Sequence, residues 1–344
     1  MTRLTYPTLS GLMASGFLVL SIYAGSRGFA HFDPALIWYA VACVVCAFAI
    51  AWRLTAWLQR PPTWRLFRSG LATLWRGDSA VEKTRHLFAK VQELYAAQHF
   101  IRKRRFSRWV AHMCISWGTM LAFALTFPLV FGWVHFESLA SDPKVYDVLV
   151  FGFKVDRFHV QSLKAILMFN LLNLASVLLL IGVIMAGWRR WQDAGERATQ
   201  TFSEDILPLI ILFAVGATGL MLTVNARLMA GTGFATFAII HMVCVIVLLL
   251  YLPFGKLLHV WQRSGHLMVS FFKKAHASDM ACCRRCKREY AMKQQISDLK
   301  EVLENLGFNY RFVADNGLAV HYQDICPPCR RSLLALNQGA SLGR

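Results

Sequence analysis

The chain has 344 residues, of which 56% are apolar and only 16% are charged, and its formal net charge is +18. Ordinary soluble domains carry about 25% charged residues, so this composition excludes a soluble globular protein and indicates a membrane protein. The basic residues are concentrated beside apolar runs, which favours a topology signal over a nucleic-acid surface, and no nucleic-acid partner is expected.

Six segments are long and apolar enough to cross a bilayer, because a spanning helix needs roughly 20 mostly apolar residues. In chain order, these segments are 7–25, 35–58, 109–134, 162–188, 206–224 and 234–261. The first segment lacks a strongly basic start, so we expect a retained helix and not a cleaved signal peptide. The sequence therefore predicts an all-α integral membrane bundle of about six helices.

The remaining segments divide the chain into four regions. These are two N-terminal helices (1–58), a basic loop (59–108), a four-helix membrane domain (109–262) and a polar tail (263–344). Part of the loop, residues 60–98, could form one or two short amphipathic helices.

Lysine and arginine are distributed unequally between the connections. Twelve of them lie between Leu58 and Trp109, and Arg189 and Arg190 end the fourth helix. The alternate connections, 26–34, 135–161 and 225–233, contain only five. Because basic loops favour the cytoplasmic side, we expect the basic loop and both termini to face the cytoplasm, against the anionic lipid of the inner membrane.

The tail has the pattern of a small α+β module. Apolar residues recur at helical spacing over 294–306, and segments 309–313 and 318–322 alternate as strands. Asn316 and Gly317 between the two strands are typical of a tight hairpin turn.

Two histidines, His241 and His259, lie eighteen residues apart in the last predicted helix. Eighteen residues make five turns, so both rings leave one helix face, roughly 27 Å apart. Ionisable groups at membrane depth are costly unless they are functional or partnered, and paired histidines are standard haem ligands. We expect His112 on the third helix to pair with His259, and His135 at the outer end of that helix to pair with His241. This arrangement predicts one or two b haems.

Two alternatives remain for the histidines. His159, just before the fourth helix, could replace His135 as the outer ligand. Each histidine at a helix end could also be an interfacial hydrogen-bonding residue without a cofactor. Pro128 and Pro253 could kink the two helices and absorb part of the mismatch in histidine depth.

The last predicted helix also carries a family resemblance, in His241, Pro253, Phe254, Leu257, Leu258, His259 and Trp261. This stretch resembles the last helix of the respiratory nitrate reductase gamma subunit and of the related membrane cytochromes of heterodisulfide reductase. The resemblance covers roughly 102–262. It implies that His241 and His259 are haem ligands whose partners come from a second helix. The family's two histidines on that helix are closer together than His112 and His135.

Haems near both faces would carry electrons between a quinone pool and a soluble catalytic partner. We therefore expect a quinone-reactive subunit whose partner is a cytoplasmic iron–sulfur or molybdenum oxidoreductase, as the resemblance also implies. Quinone is the expected substrate, placed near the outer haem, where Asp156, Arg157 and His159 could handle its protons.

A secondary transporter without haem is the alternative class. Asn170 and Asn173 on the fourth helix and Gly216 and Gly219 on the fifth are compatible with it, although such residues also pack helices. No internal repeat is apparent, which disfavours a transporter.

Nine cysteines fall into two groups. Cys43, Cys46, Cys114 and Cys244 lie in apolar runs and are expected to pack as small hydrophobic residues. The tail contains two C-x-x-C pairs and the adjacent Cys282.

The two pairs, Cys283 with Cys286 and Cys326 with Cys329, have the spacing of a tetrahedral metal site. Disulfides are not expected in the reducing cytoplasm. Structural zinc is the expected metal, because the second pair resembles a zinc-ribbon knuckle carried on the hairpin, and an iron–sulfur cluster is the alternative. Cys282 could substitute for one ligand.

Overall fold

A computed structural model of the protein describes residues 2–75, 79–313 and 319–343. The chain forms two compact units, one from Met1–Thr55 with Val91–Trp261 and the other from Ala56–Lys90 with Gln262–Arg344. The second unit joins most of the basic loop to the tail, an association that the sequence analysis did not predict.

The helices in the described part of the chain are α1 (Thr2–Gly25), α2 (Ile37–Leu58), α3 (Pro61–Trp75), α4 (Ala80–Val91), α5 (His99–Arg102), α6 (Phe106–Val130), α7 (Leu163–Gln192), α8 (Ala194–Thr199), α9 (Leu207–Leu228), α10 (Phe234–Tyr251), α11 (His259–Ala275), α12 (Lys293–Asn305) and α13 (Pro327–Ser341). The strands are β1 (Val134–Leu139), β2 (Asp142–Val150), β3 (Phe153–His159), β4 (Met280–Cys282), β5 (Glu289–Met292), β6 (Arg311–Val313) and β7 (Ala319–His321).

Among the described residues, six helices are long and apolar enough to cross a membrane: α1, α2, α6, α7, α9 and α10. Only 6% to 28% of the residues in the most apolar window of each helix are buried inside the protein. Apolar surface left outside in this way is stable against lipid and not against water. Six apolar helices were predicted and six are found in the described ranges, although the sixth ends at Tyr251, and together they suggest a multi-pass membrane protein.

Helices α6 and α7 approach each other closely at two glycines. A Cβ atom on Gly118 would lie 2.7 Å from the backbone nitrogen of Leu179, and one on Gly182 would lie 2.7 Å from the carbonyl oxygen of Ala111. Real Cβ atoms do not tolerate such distances, so the approach requires glycine at both positions. The second contact fixes Ala111, and hence the start of α6, against α7.

A three-stranded antiparallel sheet, in the order β1-β2-β3, connects α6 to α7. One face of this sheet buries Val148 and Phe158 with Ala165 of α7. The side chain of Ser162 accepts a hydrogen bond from the Ala165 backbone N–H and so caps the start of α7. The sequence predicted only a connection between these helices, so this sheet is an addition to the predicted all-α membrane bundle and its α+β tail.

The last predicted helix is interrupted after Tyr251, so the prediction that one continuous helix carries His241 and His259 is wrong. Pro253 has no backbone N–H to donate to the carbonyl of Leu249, the bond that would continue α10. A 3₁₀ turn at Lys256–Leu258 follows, and α11 begins at His259. The two histidines therefore lie on different helices, and the argument from five whole turns does not apply to them.

The second unit combines the loop helices with the cysteine-rich tail. The two helices predicted in the basic loop are present as α3 and α4. Arg65 of α3 forms a bidentate ion pair with Glu301 of α12 and lies 4.0 Å from Asp298. The predicted tail helix corresponds to α12 and the predicted hairpin strands to β6 and β7, while the turn at Asn316 and Gly317 lies outside the described residues.

Candidate functional site

His112 and His259 lie close together, as the sequence predicted for the inner pair. Their ring centroids are 6.4 Å apart and the ring planes meet at 74°. Both side chains are half-buried, His112 on α6 and His259 at the first position of α11. The end of α10 at Tyr251 therefore places His259 and His241 on different helices but leaves His259 beside His112.

The tautomer of His259 follows from its backbone contact. Its Nδ1 lies 2.5 Å from the carbonyl oxygen of Lys256. A carbonyl only accepts hydrogen bonds, so Nδ1 carries a proton and donates it. The basic nitrogen of the neutral ring is consequently Nε2, and a ring N–H held by a carbonyl is the usual arrangement of a metal-ligating histidine.

His241 has a similar arrangement within the membrane helices. The hydroxyl of Thr218 donates to the carbonyl of Ala214 at 2.6 Å and lies 2.9 Å from Nδ1 of His241. A hydroxyl has one proton, so Thr218 accepts from the Nδ1–H of His241, and Nε2 is again the basic nitrogen. A Cβ atom on Gly219 would lie 3.3 Å from Cε1 of His241, so a small residue accommodates this ring.

His135 does not lie on the third helix, because α6 ends at Val130 and His135 belongs to β1. Its ring stacks on His31 with a centroid distance of 3.9 Å, and its Nε2 lies 3.3 Å from Glu137. Burial and then the neighbouring His31 lower the pKa of His135, against the opposite effect of Glu137. Among the contacts of the described residues, none joins His135 to His241.

His31 was not identified from the sequence as a neighbour of His135. One feature of the sequence could have pointed to His31. Successive helices cross the membrane in opposite directions, so the connection 26–34 is expected on the same side of the bundle as His135. Spacing along the chain gave no further indication, because His31 and His135 are 104 residues apart.

The polar residues expected near quinone have structural partners in the sheet. Asp156 pairs with Lys164, and Arg157 pairs with Asp147 at 2.6 Å. Hydrogen bonds from Arg157 and then from Lys154 hold the pKa of Asp147 well below its usual range. His159 accepts a hydrogen bond at Nδ1 from the backbone N–H of Gln161.

The polar residues that suggested a transporter connect helices. The Thr223 hydroxyl donates to Oδ1 of Asn173 at 2.7 Å, and the Arg227 guanidinium donates to Oδ1 of Asn170 at 2.7 Å. These bonds join α9 to α7. A Cβ atom on Gly216 would lie 3.2 Å from the Leu180 side chain, so this glycine also serves helix packing.

A cavity of about 390 Å³ lies between the first turns of α6 and the last turns of α7. Its lining combines cationic, acidic, polar and apolar side chains: Arg105, Ser107, Ala111, Met185, Trp188, Arg189, Gln192 and Asp193. This volume is within the usual range for small-molecule sites, about 300–1,000 Å³. One wall is Ala111, the residue before His112.

The four predicted tail cysteines come together. One Sγ atom from each of Cys283, Cys286, Cys326 and Cys329 lies within 4.8 Å of the others, and the Sγ atoms of Cys286 and Cys326 are 3.7 Å apart. The group could hold a metal such as zinc or an iron–sulfur cluster. Cys282 is exposed and outside it.

Two different local structures present these thiols. The first pair lies in the turn between β4 and β5, where the Cys283 N–H bonds to the Arg288 carbonyl and Lys287 adopts a left-handed φ of 60°. The second pair lies at the start of α13, with Cys326 as the N-cap residue. The expectation that a hairpin carries the second pair is therefore wrong, because Pro327 and Pro328 fit the first helical turn, where no N–H is required.

Backbone N–H groups favour thiolates in this cluster. Burial raises the pKa of Cys283, but bonds from the N–H groups of Cys286, Cys326 and Arg285 outweigh it and lower that pKa overall. The N–H of Arg288 likewise lowers the pKa of Cys286. Thiolates are the metal-binding form of cysteine, so the fold favours that form at Cys283 and Cys286, whereas the side-chain hydrogen bond with Cys326 raises the pKa of Cys329 to about 12.

Comparison with known protein families, curated sequences and solved structures finds no match for this chain. The resemblance to the nitrate reductase gamma subunit therefore stays a prediction.

Proposed function

We propose that this protein is a b-type membrane cytochrome subunit that transfers electrons between quinone and a cytoplasmic oxidoreductase. The observation that carries the proposal is the pairing of His112 and His259, with the Nδ1 of His259 held by the Lys256 carbonyl. Paired imidazoles leave a haem iron without an open coordination position, which suits electron transfer and not oxygen chemistry.

Imidazoles are haem ligands, so His112 and His259, whose ring centroids lie 6.4 Å apart, would hold the iron of a b haem. The haem would supply reversible one-electron chemistry, and the chain's role is to fix ring orientation and basicity through Lys256.

His241 is our candidate ligand for a second haem, because Thr218 fixes its tautomer in the same way. His135 lies against His31 and Glu137, so the proposal assigns a single haem between His112 and His259.

We place the quinone headgroup in the cavity between α6 and α7. Quinone carbonyl oxygens accept hydrogen bonds, and Arg105, Trp188 and Gln192 line the cavity with donors, while Arg189 there already donates to Glu196 at 2.7 Å. The cavity also borders the helix turn that carries His112. This differs from the sequence expectation of an outer quinone site, where the structure shows Asp156 and Arg157 in ion pairs.

The tail module is proposed to hold a single zinc ion. Zinc–thiolate bonds of about 2.3 Å in a tetrahedron separate the sulfur atoms by roughly 3.8 Å, close to the observed 3.7 Å. In a [2Fe–2S] or [4Fe–4S] cluster the four cysteines are shared among two or four iron atoms, which requires wider spacing than the 4.8 Å within which all four Sγ atoms lie. Zinc would stabilise the module, and the oxidoreductase partner is proposed on the same side as the tail.

The proposal is tested by absorption spectra of the purified, dithionite-reduced protein. We expect b-type bands, and loss of one haem per protein in both His112→Ala and His259→Ala. His266→Ala is the matched control, because His266 is exposed on the same helix as His259. Arg105→Gln should raise the KM for quinol without changing haem content.

Absence of haem from the wild-type protein would overturn the cytochrome assignment. Full haem content in both histidine variants would overturn the ligand assignment.

A further inference from the structure

The close approach of His31 to His135 depends on a glycine. Gly132 precedes β1 with a left-handed φ of 67°, and a Cβ atom there would lie 2.7 Å from the carbonyl oxygen of His31. Any other residue would push the α1–α2 connection away from β1. The two imidazoles, from segments distant in sequence, therefore meet at a position that the backbone defines.

Three donor atoms converge at this position. Oε1 of Glu137 lies 3.3 Å from Nε2 of His135 and 3.7 Å from Nδ1 of His31. Ligand atoms around a tetrahedral ion, with bonds of about 2.0–2.1 Å, are separated by roughly 3.3 Å. All three ligand atoms lie within 4.8 Å of one another, close to the spacing of a coordination shell, and the stacked rings, whose planes differ by 18°, would turn so that both imidazoles direct a lone pair at one ion.

The ring of His135 also lacks the hydrogen bonds that a buried polar ring requires. Both of its nitrogens are buried; within the described part of the chain Nδ1 has no hydrogen-bond partner, while Nε2 faces Oε1 of Glu137 at 3.3 Å. Buried polar atoms are nearly always satisfied by protein, water or an ion. A metal ion beside Nε2 would satisfy one of them.

We propose that His31, His135 and Glu137 bind a divalent transition-metal ion, with zinc as the ion whose ligand preference fits best. Two neutral imidazoles and one carboxylate suit zinc, whereas calcium and magnesium prefer oxygen ligands alone. The three residues leave a fourth position for water. The ion joins the α1–α2 connection to β1, and this site is separate from the cysteine cluster and from the proposed haem.

One neighbouring cation opposes this binding. The guanidinium of Arg27 lies over the Phe153 ring, with 5.0 Å between its carbon and the ring centroid, and its charge acts on His135. Repulsion between this charge and a divalent ion weakens the site. Replacement of Arg27 by glutamine should therefore tighten zinc binding. If His31 and His135 only stacked and bound no metal, this substitution would not change zinc binding.

The experiment measures zinc per protein in the full-length chain, purified in detergent, stripped with a chelator and titrated with Zn²⁺. These titrations use the Cys326→Ser variant, which removes the tail site. One zinc ion per protein should still bind. His31→Ala and Glu137→Gln in this background should weaken its binding by about 100-fold or more. His159→Ala is the matched control, a histidine on the same sheet outside the cluster, and it should keep the equivalent.

Equal zinc affinity in the Cys326→Ser protein with and without His31→Ala and Glu137→Gln would overturn the proposal. Glu137→Gln keeps the size and shape of the side chain, so its result stands even if His31→Ala impairs folding. Tighter binding in Arg27→Gln would support the site, and unchanged or weaker binding there would count against it.

Discussion

Gly182 of α7 lies against the carbonyl of Ala111 so closely that a Cβ atom at position 182 would come within 2.7 Å of that oxygen. The neighbouring residue is His112, so this contact positions the helix turn of the proposed haem ligand.

Gly182→Ala should therefore destabilise the protein, by about 1–3 kcal/mol as for other overpacked sites. Gly187→Ala is the control on the same helix, because a Cβ atom there meets nothing within 4 Å. Alanine favours helix over glycine by roughly 1 kcal/mol, so the control should be neutral or stabilising. Thermal unfolding in detergent measures both, and equal Tm values for the two variants would contradict the packing argument.

The metal module gives a second prediction. Cys326→Ser should lose the tail metal and make residues 262–344 sensitive to protease, because Cys283 and Cys326 belong to the small buried core of the module. Cys282→Ser should change neither property, since Cys282 is exposed and outside the four-thiol group. Elemental analysis for zinc and non-haem iron, combined with limited proteolysis, checks both variants. Retention of the metal in Cys326→Ser would refute the site.

The pairing of Arg65 with Glu301 gives a third prediction. Hydrogen bonding to Glu301 raises the pKa of Arg65, and the same bond lowers the pKa of Glu301, so both groups stay charged near neutral pH. Arg65→Glu should make the α3–α4 segment more sensitive to protease. The double variant Arg65→Glu with Glu301→Arg should restore resistance, and the effect should weaken at high salt. Failure of the exchange to restore resistance would show that this ion pair does not hold α3 to α12.

The fourth prediction concerns orientation. The basic connections predict that the C-terminal tail faces the cytoplasm, where a fluorescent-protein fusion after Arg344 should be active. An alkaline phosphatase fusion at the same point should be inactive, and one inserted at Gly231, between α9 and α10, should be active. The opposite pattern would reverse the orientation and place the tail cysteines in an oxidising compartment.

The membrane helices were predictable because hydrocarbon is a uniform solvent that demands about 20 apolar residues per crossing. Each cysteine pair was predictable because its two ligands are close in sequence. The spacing within each pair was sufficient to expect one shared metal site, although Cys286 and Cys326 are 40 residues apart and meet only in the fold.

Other features depend on such positions and were missed. The partner of His135 is His31, and only the tertiary fold brings them together. Pro128 and Pro253 were both expected to kink a helix, yet Pro128 lies within α6 whereas α10 ends before Pro253. Pro128 is close to the end of α6, so it disturbs few of the helix's hydrogen bonds. Pro253 is followed by Gly255 and a 3₁₀ turn, where the helix ends. The presence of a proline alone does not reveal which of these two outcomes occurs.

The lengths of the membrane helices differ because of this interruption. With 18 residues, α10 reaches about 27 Å, slightly less than a typical hydrocarbon core, whereas α7 has 30 residues and reaches about 45 Å. A helix longer than the hydrocarbon core adapts by tilting, whereas a shorter one is matched by thinning of the bilayer, snorkelling of flanking side chains or association with other helices. In a bilayer, the short α10 would therefore couple the position of His241 to the acyl-chain length of the surrounding lipid.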